Sequence, residues 1–311
     1  MKDRTVLVAL GGNALLKRGE SPDPAVQREN VRRAAEALTP LAEEYKLVLT
    51  HGNGPQVGLL ALQAAAYTKN EPYPLDILGA ETEGMIGYLI EQELRNILPP
   101  EVPVATILTM TAVDPSDPAF EDPEKFVGPV YTKEQAGEIG KATGWTFRQD
   151  GFDWRRVVPS PKPVKILEMK PIRWLIEKGA IVICTGGGGI PVVPSAKGGY
   201  SGIEAVIDKD LASAILAEEL RADLFIMATD VKGVYLNWKY EDRELIVETT
   251  PRFLREKRHH FPPGSMGPKV DAACRFVEAT GNPAAIGSLE DIAGIAAGDT
   301  GTTVRPESEK R

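Results

Sequence analysis

KLVLTHGNGPQVGLLAL, residues 46–62, is the stretch around which this chain is organised. It opens with an apolar run typical of a buried strand, turns through His51-Gly52-Asn53-Gly54-Pro55, and continues into a segment that favours a helix. Pro55 suits the first helical position, because its missing N–H costs nothing there. The glycines let the backbone approach a ligand, and a helix N-terminus presents unpaired N–H groups with a partial positive charge. This order predicts an anion cradle, with a tight turn that binds no ligand as the alternative.

Length and composition indicate a globular protein of one large domain or two smaller ones, with 311 residues. The formal net charge of −8 argues against a nucleic-acid partner, which would require a basic face. Cys184 and Cys274 lie in no zinc or disulfide pattern and are expected to be small buried hydrophobes. Met1 to Arg4 lead directly into a strand, and no apolar run approaches about 20 residues, so we expect no signal peptide and no membrane span. The expected location is cytoplasmic.

The N-terminal third alternates between strand and helix patterns. Residues 5–10 fit a buried strand, and residues 25–45 have helical spacing, with Pro40 expected to bend or break that helix. Residues 79–97 favour a second long helix, and residues 102–110 a strand. With residues 46–62, this order predicts a mostly parallel sheet with helices on both faces.

Residues 112–164 differ from the rest, because they are rich in prolines and aromatic side chains. Only residues 132–143 have a helical pattern there. A structureless loop of this length is uncommon inside a compact domain. We therefore expect a small subdomain or lid inserted in the α/β core, with a partly disordered linker as the alternative.

Glycine-rich loops follow several predicted strands, at residues 11–12, 52–54, 186–189 and 233. Ligands of open α/β sheets collect beyond the carboxyl ends of the strands, so these loops are expected to meet at one crevice. No GxGxxG follows the first strand, and no GxxxxGK[ST] occurs in the chain. A Rossmann dinucleotide site and a P-loop nucleotidase are therefore disfavoured, and another phosphate-handling α/β fold is indicated.

Two lysines stand at predicted helix starts. Lys209 lies between Asp208 and Asp210, and Lys269 follows Gly264-Ser265-Met266-Gly267-Pro268. Lysine is electrostatically unfavourable at a helix N-terminus, which suggests a functional reason, although exposed lysines also occur there by chance. Phosphoryl transfer requires fixed cations, and an adjacent aspartate could orient a lysine or reach a magnesium ion.

These residues carry a resemblance to a known family. The chain closely resembles the carbamate kinases, which belong to the amino acid kinase family. The matching stretches are residues 9–15 (ALGGNAL), 51–58 (HGNGPQVG), 155–161 (RRVVPSP), 186–191 (GGGGIP), 205–210 (AVIDKD) and 264–269 (GSMGPK). The resemblance implies a single domain, residues 1–311, folded as an open three-layer αβα sandwich with a mainly parallel central sheet. It implies an acceptor-binding part at about residues 1–205, a small protruding subdomain inserted at about residues 112–164, a nucleotide-binding part at about residues 206–311, and a homodimer.

The activity implied by the resemblance is reversible phosphoryl transfer from ATP to carbamate, giving ADP and carbamoyl phosphate, with Mg²⁺ accompanying ATP. No protein metal ligands, nucleic-acid partner or membrane partner are expected. ATP generation in arginine catabolism and carbamoyl phosphate supply for biosynthesis both fit this reaction.

The resemblance also implies residue roles. Lys209 and Lys269 match lysines that stabilise the transferring phosphoryl group, Asp210 matches the aspartate that organises them, and Lys125 matches a lysine contributed by the subdomain. Acceptor-site matches are Gly11, Gly12, Asn13, Gly52, Asn53, Gly54, Gly187 and Gly188. Nucleotide-site matches are Asp208, Thr229, Asp230, Val231, Gly233, Tyr235, Met266 and Gly267. Lys232 departs from the family pattern, since related sequences often have an acidic residue there.

Two other functions remain open at this point. One is another amino acid kinase that phosphorylates an acyl carboxylate such as glutamate or aspartate. The other is a non-catalytic sensor of nucleotide or carbamoyl phosphate, which should have lost a catalytic cation. Carbamate is already anionic, so no general base is required. His51 could contact substrate or could cap its strand, while His259 and His260 are expected to be solvated.

Overall fold

A computed structural model describes residues 2–12, 20, 23–67, 73–238, 240–262 and 264–307. Asn13, which the resemblance assigns to the acceptor loop, lies outside these residues.

The strands in chain order are β1 (Thr5–Leu10), β2 (Lys46–His51), β3 (Val104–Thr106), β4 (Met110–Val113), β5 (Lys125–Tyr131), β6 (Thr146–Asp150), β7 (Asp153–Val158), β8 (Pro163–Ile166), β9 (Ile181–Ile183), β10 (Ile190–Pro194), β11 (Tyr200–Gly202), β12 (Leu224–Thr229), β13 (Val234–Leu236), β14 (Glu244–Ile246), β15 (Glu248–Thr249), β16 (Ala284–Ser288) and β17 (Thr302–Val304). The α-helices are α1 (Pro24–Glu44), α2 (Gly54–Tyr67), α3 (Leu75–Ile97), α4 (Lys133–Thr143), α5 (Met169–Glu177), α6 (Lys209–Leu220), α7 (Pro251–Glu256), α8 (Met266–Thr280) and α9 (Ile292–Ala297).

The central sheet has eight strands in the order β15-β17-β16-β12-β1-β2-β9-β3. All neighbouring strands run parallel except β16 and β17, which are antiparallel. β1 lies between β2 and β12, and its residues are almost completely buried. Strands of a mainly parallel sheet that is buried on both faces typically have continuous apolar sequences, and β1 has such a sequence.

Two apolar clusters cover the two faces of this sheet. Leu7 and Ala9 point into a cluster that includes side chains of α5, α6 and α8. Val6, Val8 and Leu10 point into a cluster that includes side chains of α1, α3 and α9. The predicted three-layer αβα sandwich is therefore confirmed.

The segment predicted as an insertion contains its own sheet, with strand order β5-β7-β6, and its own helix, α4. Thr132 and Gln135 form a capping box at the start of α4, which explains why this helix begins where the sequence indicated. The flanking strands β4 and β8 pair with each other in a separate four-stranded sheet, β11-β10-β4-β8. The insertion is thus an ordered small subdomain between two neighbouring strands of the core.

Two local expectations were wrong or incomplete. α1 continues through Pro40, because Leu38 and Leu41 on either side are buried in the core and offset the missing backbone hydrogen bond. Residues 102–110 are not one strand, since β3 belongs to the central sheet while Met110 begins β4 of the four-stranded sheet. Among the described helices, none combines the length and apolar character that crossing a bilayer requires.

Candidate functional site

The glycine loops after β1 and β2 meet at the carboxyl edge of the central sheet. The Gly11 N–H donates to the Ala228 carbonyl at 3.0 Å, and the Gly52 N–H donates to the Leu10 carbonyl at 3.1 Å. A Cβ atom on Gly52 would lie 3.2 Å from the Gly12 nitrogen, so the two loops are in backbone contact. Strand order therefore brings together loops that lie far apart in sequence.

The second glycine loop forms a short 3₁₀ turn, Gly186–Gly188, beside the first. Gly187 has φ +64°, and a Cβ atom there would lie 2.2 Å from Asn53 Nδ2. A hydrogen bond to α3 fixes the Asn53 side chain, because its Nδ2 donates to Thr82 Oγ1 at 2.9 Å. Glycine at residue 187 thus allows this turn to lie directly against the acceptor loop.

Three side chains form a buried ion triad at the centre of the site. Lys209 Nζ donates to Asp210 Oδ1 at 2.6 Å, and Lys269 Nζ donates to Asp210 Oδ2 at 2.9 Å. All three side chains are at least 87% buried, with exposed fractions of 11%, 13% and 7% for Lys209, Lys269 and Asp210. The carboxylate therefore fixes two ammonium groups side by side.

Helix starts place these groups. Asp208 caps α6, since its Oδ1 accepts from the N–H groups of Asp210 at 3.0 Å and Leu211 at 3.3 Å. Lys209 and Asp210 follow in the first turn of α6, and Lys269 lies in the first turn of α8. Lys125 at the start of β5 donates from Nζ to Asp208 Oδ2 at 2.7 Å. Three ammonium groups and two carboxylates consequently meet here, leaving one excess positive charge for an anion.

Burial and mutual attraction act in opposite directions on these groups. Burial alone would raise the pKa of Asp210, but the two adjacent lysines outweigh it and lower that pKa well below its usual range. Burial lowers the pKa of Lys209, with repulsion from Lys269 adding to the effect. Burial by itself would also lower the pKa of Lys269. Attraction and the hydrogen bond to Asp210, with other nearby carboxylates, outweigh burial, so the pKa of Lys269 is raised. Lys269 is therefore the more firmly protonated of the two.

Two adjoining cavities open onto the triad. The smaller cavity, of about 220 Å³, is lined by most residues assigned to catalysis and acceptor binding: Gly12, Gly52, Asn53, Gly54, Lys125, Gly187, Lys209, Asp210 and Lys269. The larger, of about 410 Å³, contains most residues assigned to the nucleotide; those lining it are Thr229, Asp230, Val231, Gly233, Tyr235 and Met266, together with Gly11, Gly12 and Lys269. Lys269 and Gly12 are common to both cavities, so a group could pass between them at this point.

Four assigned residues have a different place. Gly11, assigned to the acceptor, lines the larger cavity and not the smaller. Asp208, assigned to the nucleotide, lines the smaller cavity instead. Gly188 and Gly267 line neither cavity among the described residues. A side chain on Gly188 would meet the Ile207 carbonyl at 2.6 Å, and one on Gly267 would meet the Pro262 carbonyl at 2.8 Å. Both glycines therefore shape the loops without facing the cavities.

Other residues were not found from the sequence. Trp238 and His260 line the larger cavity, although His260 was expected to be solvated. The centroids of the Tyr235 and Trp238 rings lie 5.1 Å apart, with an angle of 58° between the ring planes. The spacing of Tyr235 and Trp238, three residues apart, could have indicated from the sequence that Trp238 belongs to the site. Nothing in the sequence indicated His260.

His51 and Glu83 lie beneath the glycine loops. His51 is buried, its Nδ1 contacts the Gly52 carbonyl at 3.2 Å, and burial lowers its pKa to about 4. Glu83 accepts from the N–H groups of Gly186 at 2.7 Å and Thr109 at 3.0 Å. Of the two roles considered for His51, the buried position favours structural support of the loop.

Divalent metal would have few protein ligands here. Within the described ranges, no three His, Cys, Asp or Glu side chains cluster as a protein metal site would require. This donor set fits an ion that is carried mainly by phosphate oxygens and water and touches one or two carboxylates.

The amino acid kinase family model matches residues 4–288. A protein named carbamate kinase from Rhizobium meliloti strain 1021 is 59% identical, over 96% of this chain and 92% of that protein. The carbamate kinase structure from Giardia lamblia bound to AMP-PNP superposes with a TM-score of 0.89 at 42% identity, covering 98% of this chain and 99% of that one. A second Giardia structure, thiocarbamoylated by disulfiram on a cysteine, has a TM-score of 0.85 at 41% identity, covering 98% and 99%. By the family model, by identity over nearly its whole length and by superposition of the whole chain, this chain belongs to the amino acid kinase family and, within it, groups with the carbamate kinases.

Proposed function

We propose that this protein is an ATP-dependent carbamate kinase that reversibly converts ATP and carbamate into ADP and carbamoyl phosphate. The observation that carries this proposal is the position of Lys209 and Lys269 on one carboxylate, with Lys125 nearby, where two cavities of different size meet. The smaller cavity suits a small anion, and the larger one suits a nucleotide.

In the forward direction, a carbamate oxygen attacks the γ-phosphorus of ATP. The new P–O bond forms as the bond between that phosphorus and the β,γ-bridging oxygen breaks, and ADP leaves. Lys209 and Lys269 neutralise charge on the oxygens of the transferring group, and Asp210 holds both amines in place before the reaction. Carbamate is an anion, so no proton has to be removed, which agrees with the neutral, enclosed His51.

The backbone of the glycine loops supplies the remaining contacts with the acceptor. Gly12 and Gly54 line the smaller cavity, where a carboxylate-like group can accept hydrogen bonds from backbone N–H groups. Lys125 adds a cation from the inserted subdomain. The lysines and backbone N–H groups thus provide the charge and hydrogen bonds that a carbamate ion requires.

Mg²⁺ is the ion we propose to accompany ATP. Asp230 in the larger cavity is the carboxylate that would reach it, with phosphate oxygens and water supplying further ligands. When bound, the ion neutralises charge on the phosphates.

The alternative acceptors are disfavoured by the relatives of this chain. Proteins 59% and 54% identical to it over nearly its whole length are named carbamate kinases, not kinases of glutamate or aspartate. A non-catalytic sensor is disfavoured because all three lysines and Asp210 are present and arranged around one point.

The direct experiment supplies ADP, Mg²⁺ and carbamoyl phosphate to the purified protein and measures ATP. ATP formation is expected, and glutamate or aspartate should not replace carbamate in the forward reaction. Absence of ATP, together with turnover of an amino acid acceptor, would reject carbamate as the substrate. Binding of ADP without turnover of any acceptor would indicate a sensor.

The proposal includes a homodimer and a cytoplasmic location, where ATP and ADP are available. A dimer is supported by β3, an edge strand of the central sheet, and by exposed apolar side chains beside it, Met85, Tyr88 and Leu108. We also propose the division at about residue 205, since the larger cavity is lined almost entirely by residues after it, whereas the smaller cavity is lined from both sides of it. Sedimentation of the wild type and of Tyr88→Glu should give a dimer and a monomer; a wild-type monomer would exclude the dimer.

A further inference from the structure

α2 and β5 touch backbone to backbone at a pair of glycines. A Cβ atom on Gly58 would lie 2.1 Å from the Gly128 Cα and 2.3 Å from its nitrogen. Heavy atoms that are not bonded to each other do not approach this closely. No side chain is therefore compatible with residue 58 while β5 remains where it is.

Gly128 occupies a bulge in β5. Val127 pairs with Arg156 of β7, but the next pair is Val130 with Arg155, so Gly128 and Pro129 are extra residues outside the ladder. Gly128 has φ +72°, a conformation that favours glycine. The bulge brings the β5 backbone out of its own sheet and against α2.

Apolar side chains surround this glycine contact. Val57 and Ala61 of α2 form a buried cluster with Val127 and Val158 of the inserted subdomain. Val57 and Val127 flank the two glycines in sequence, and both also line the smaller cavity. The surface on which the inserted subdomain contacts the core thus adjoins the acceptor site.

Lys125 is three residues from Gly128 on the same strand. Its amine reaches Asp208, which caps the helix that carries Lys209 and Asp210. α2 in turn begins at Gly54, in the acceptor loop. A displacement of β5 away from α2 would move the Lys125 amine away from the acceptor while leaving the ion triad in place.

We propose that Gly58 and Gly128 are positioning residues for Lys125, because their side-chain-free contact sets the distance between the inserted subdomain and the acceptor loop. This inference rests on the proposed function, since Lys125 is given its role there. A misplacement of about 1 Å at a reacting group can cost on the order of a hundredfold in rate.

The test is Gly58→Ala, with Gly137→Ala as the matched control. Gly137 lies in α4 of the same subdomain, and a Cβ atom there would meet no other atom within 4 Å. Alanine favours a helix over glycine, so Gly58→Ala should leave α2 itself intact. We expect kcat/KM for carbamoyl phosphate to fall at least about tenfold in Gly58→Ala and to stay within about twofold in Gly137→Ala. KM for ADP should be unchanged in both variants.

A double variant separates positioning from general damage. In the Lys125→Ala background, Gly58→Ala should cause little further loss of turnover, because the residue through which it acts is gone. Hydrogen exchange, which does not depend on activity, should show faster exchange in β5 and unchanged exchange in α6 and α8. Equal losses with and without Lys125, or wild-type turnover and exchange in Gly58→Ala, would overturn the inference. A wild-type enzyme that makes no ATP would instead reject the proposed function, while the exchange result would still report on the glycine contact.

Discussion

Lys269 Nζ lies 2.9 Å from Asp210 Oδ2, although the two residues are 59 positions apart in the sequence and belong to different helices. The other oxygen of the same carboxylate accepts from Lys209. Asp210 therefore determines the spacing of the two amines, which makes it the residue whose loss should be felt by both.

Asp210→Asn should remove most activity and destabilise the protein. Breaking a buried ion pair costs about 3–5 kcal/mol, because the remaining charges stay uncompensated. Here two ammonium groups would face each other, and Lys209, whose pKa burial already lowers, should give up its proton first. We expect ATP formation to fall at least about a hundredfold. Urea unfolding gives the stability, and coupled-enzyme kinetics give the rate.

Asp271→Asn is the matched control for that variant. Asp271 pairs with Arg258, but both side chains are about 40% exposed. A surface pair of this kind contributes about 0–1 kcal/mol. A loss of stability in Asp210→Asn no larger than in Asp271→Asn would contradict the importance of the buried triad.

Lys209→Ala and Lys269→Ala should each lower turnover by about two to four orders of magnitude, with modest effects on folding. Folding should tolerate either change, because Asp210 keeps the other lysine as a partner. The measurement is kcat and KM for ADP and carbamoyl phosphate, alongside thermal unfolding. Near-normal activity in both variants would refute the assigned roles.

Lys125→Ala should reduce activity less than loss of either buried lysine, by about tenfold to a hundredfold. Its side chain is 39% exposed, and Asp208 keeps its capping role through the other carboxylate oxygen. Thermal stability should therefore stay close to wild type. A reduction equal to that of Lys269→Ala, or clear unfolding, would show that Lys125 has a different part in the site.

The sequence predicted the site to the extent that its parts are local. Glycines at strand ends and Lys209 at a helix start can be read from a few neighbouring residues. The pairing of Lys269 with Asp210 cannot, because it depends on how α6 packs against α8. The contact of Gly58 with Gly128 was missed for the same reason, since two glycines carry no chemical sign that they touch.

The order of strands and helices along the chain was predicted, but the sheet to which each strand belongs was not. Residues 102–110 are continuous and apolar, so nothing local shows that the chain leaves the central sheet after Thr106 and starts β4 at Met110. At Pro40 local propensity suggested a bend or a break, and the break does not occur, because buried neighbours maintain the helix. Both differences arise from tertiary contacts, which periodicity alone does not encode.

Thiol reagents should neither modify nor inactivate this protein in its native state, whereas the Giardia structure contains a cysteine thiocarbamoylated by disulfiram. The two cysteines of this chain are both buried. Burial raises the pKa of each thiol to about 12, so little thiolate forms at neutral pH. Native protein should react with less than about one equivalent of Ellman's reagent, and unfolded protein with both thiols. Rapid inactivation by disulfiram would contradict this expectation.

Glu83 should make stability depend on pH in a specific window. Burial raises its pKa from 4.5 to about 8, against the opposing hydrogen bonds from Thr109 and Gly186. Below about pH 4.5 the folded and unfolded states both hold the proton, so the contribution of Glu83 to stability is complete. Between 4.5 and 8 the unfolded state loses the proton and the folded state keeps it, so rising pH favours unfolding by up to about 5 kcal/mol. Above about 8 both states are ionised and the effect stops growing.

Glu83→Gln removes this titration, so its free energy of unfolding should rise relative to wild type as pH increases from 5 to 8. Glu81→Gln, an exposed change on the same helix, is the control and should follow the wild type throughout. Urea unfolding at intervals of one pH unit gives the difference between the curves, in which other titrating groups cancel. A constant difference across the window would mean that the Glu83 carboxyl is already ionised at pH 5. In that case the N–H groups of Thr109 and Gly186 would outweigh burial, and the loop they belong to would rest on a carboxylate.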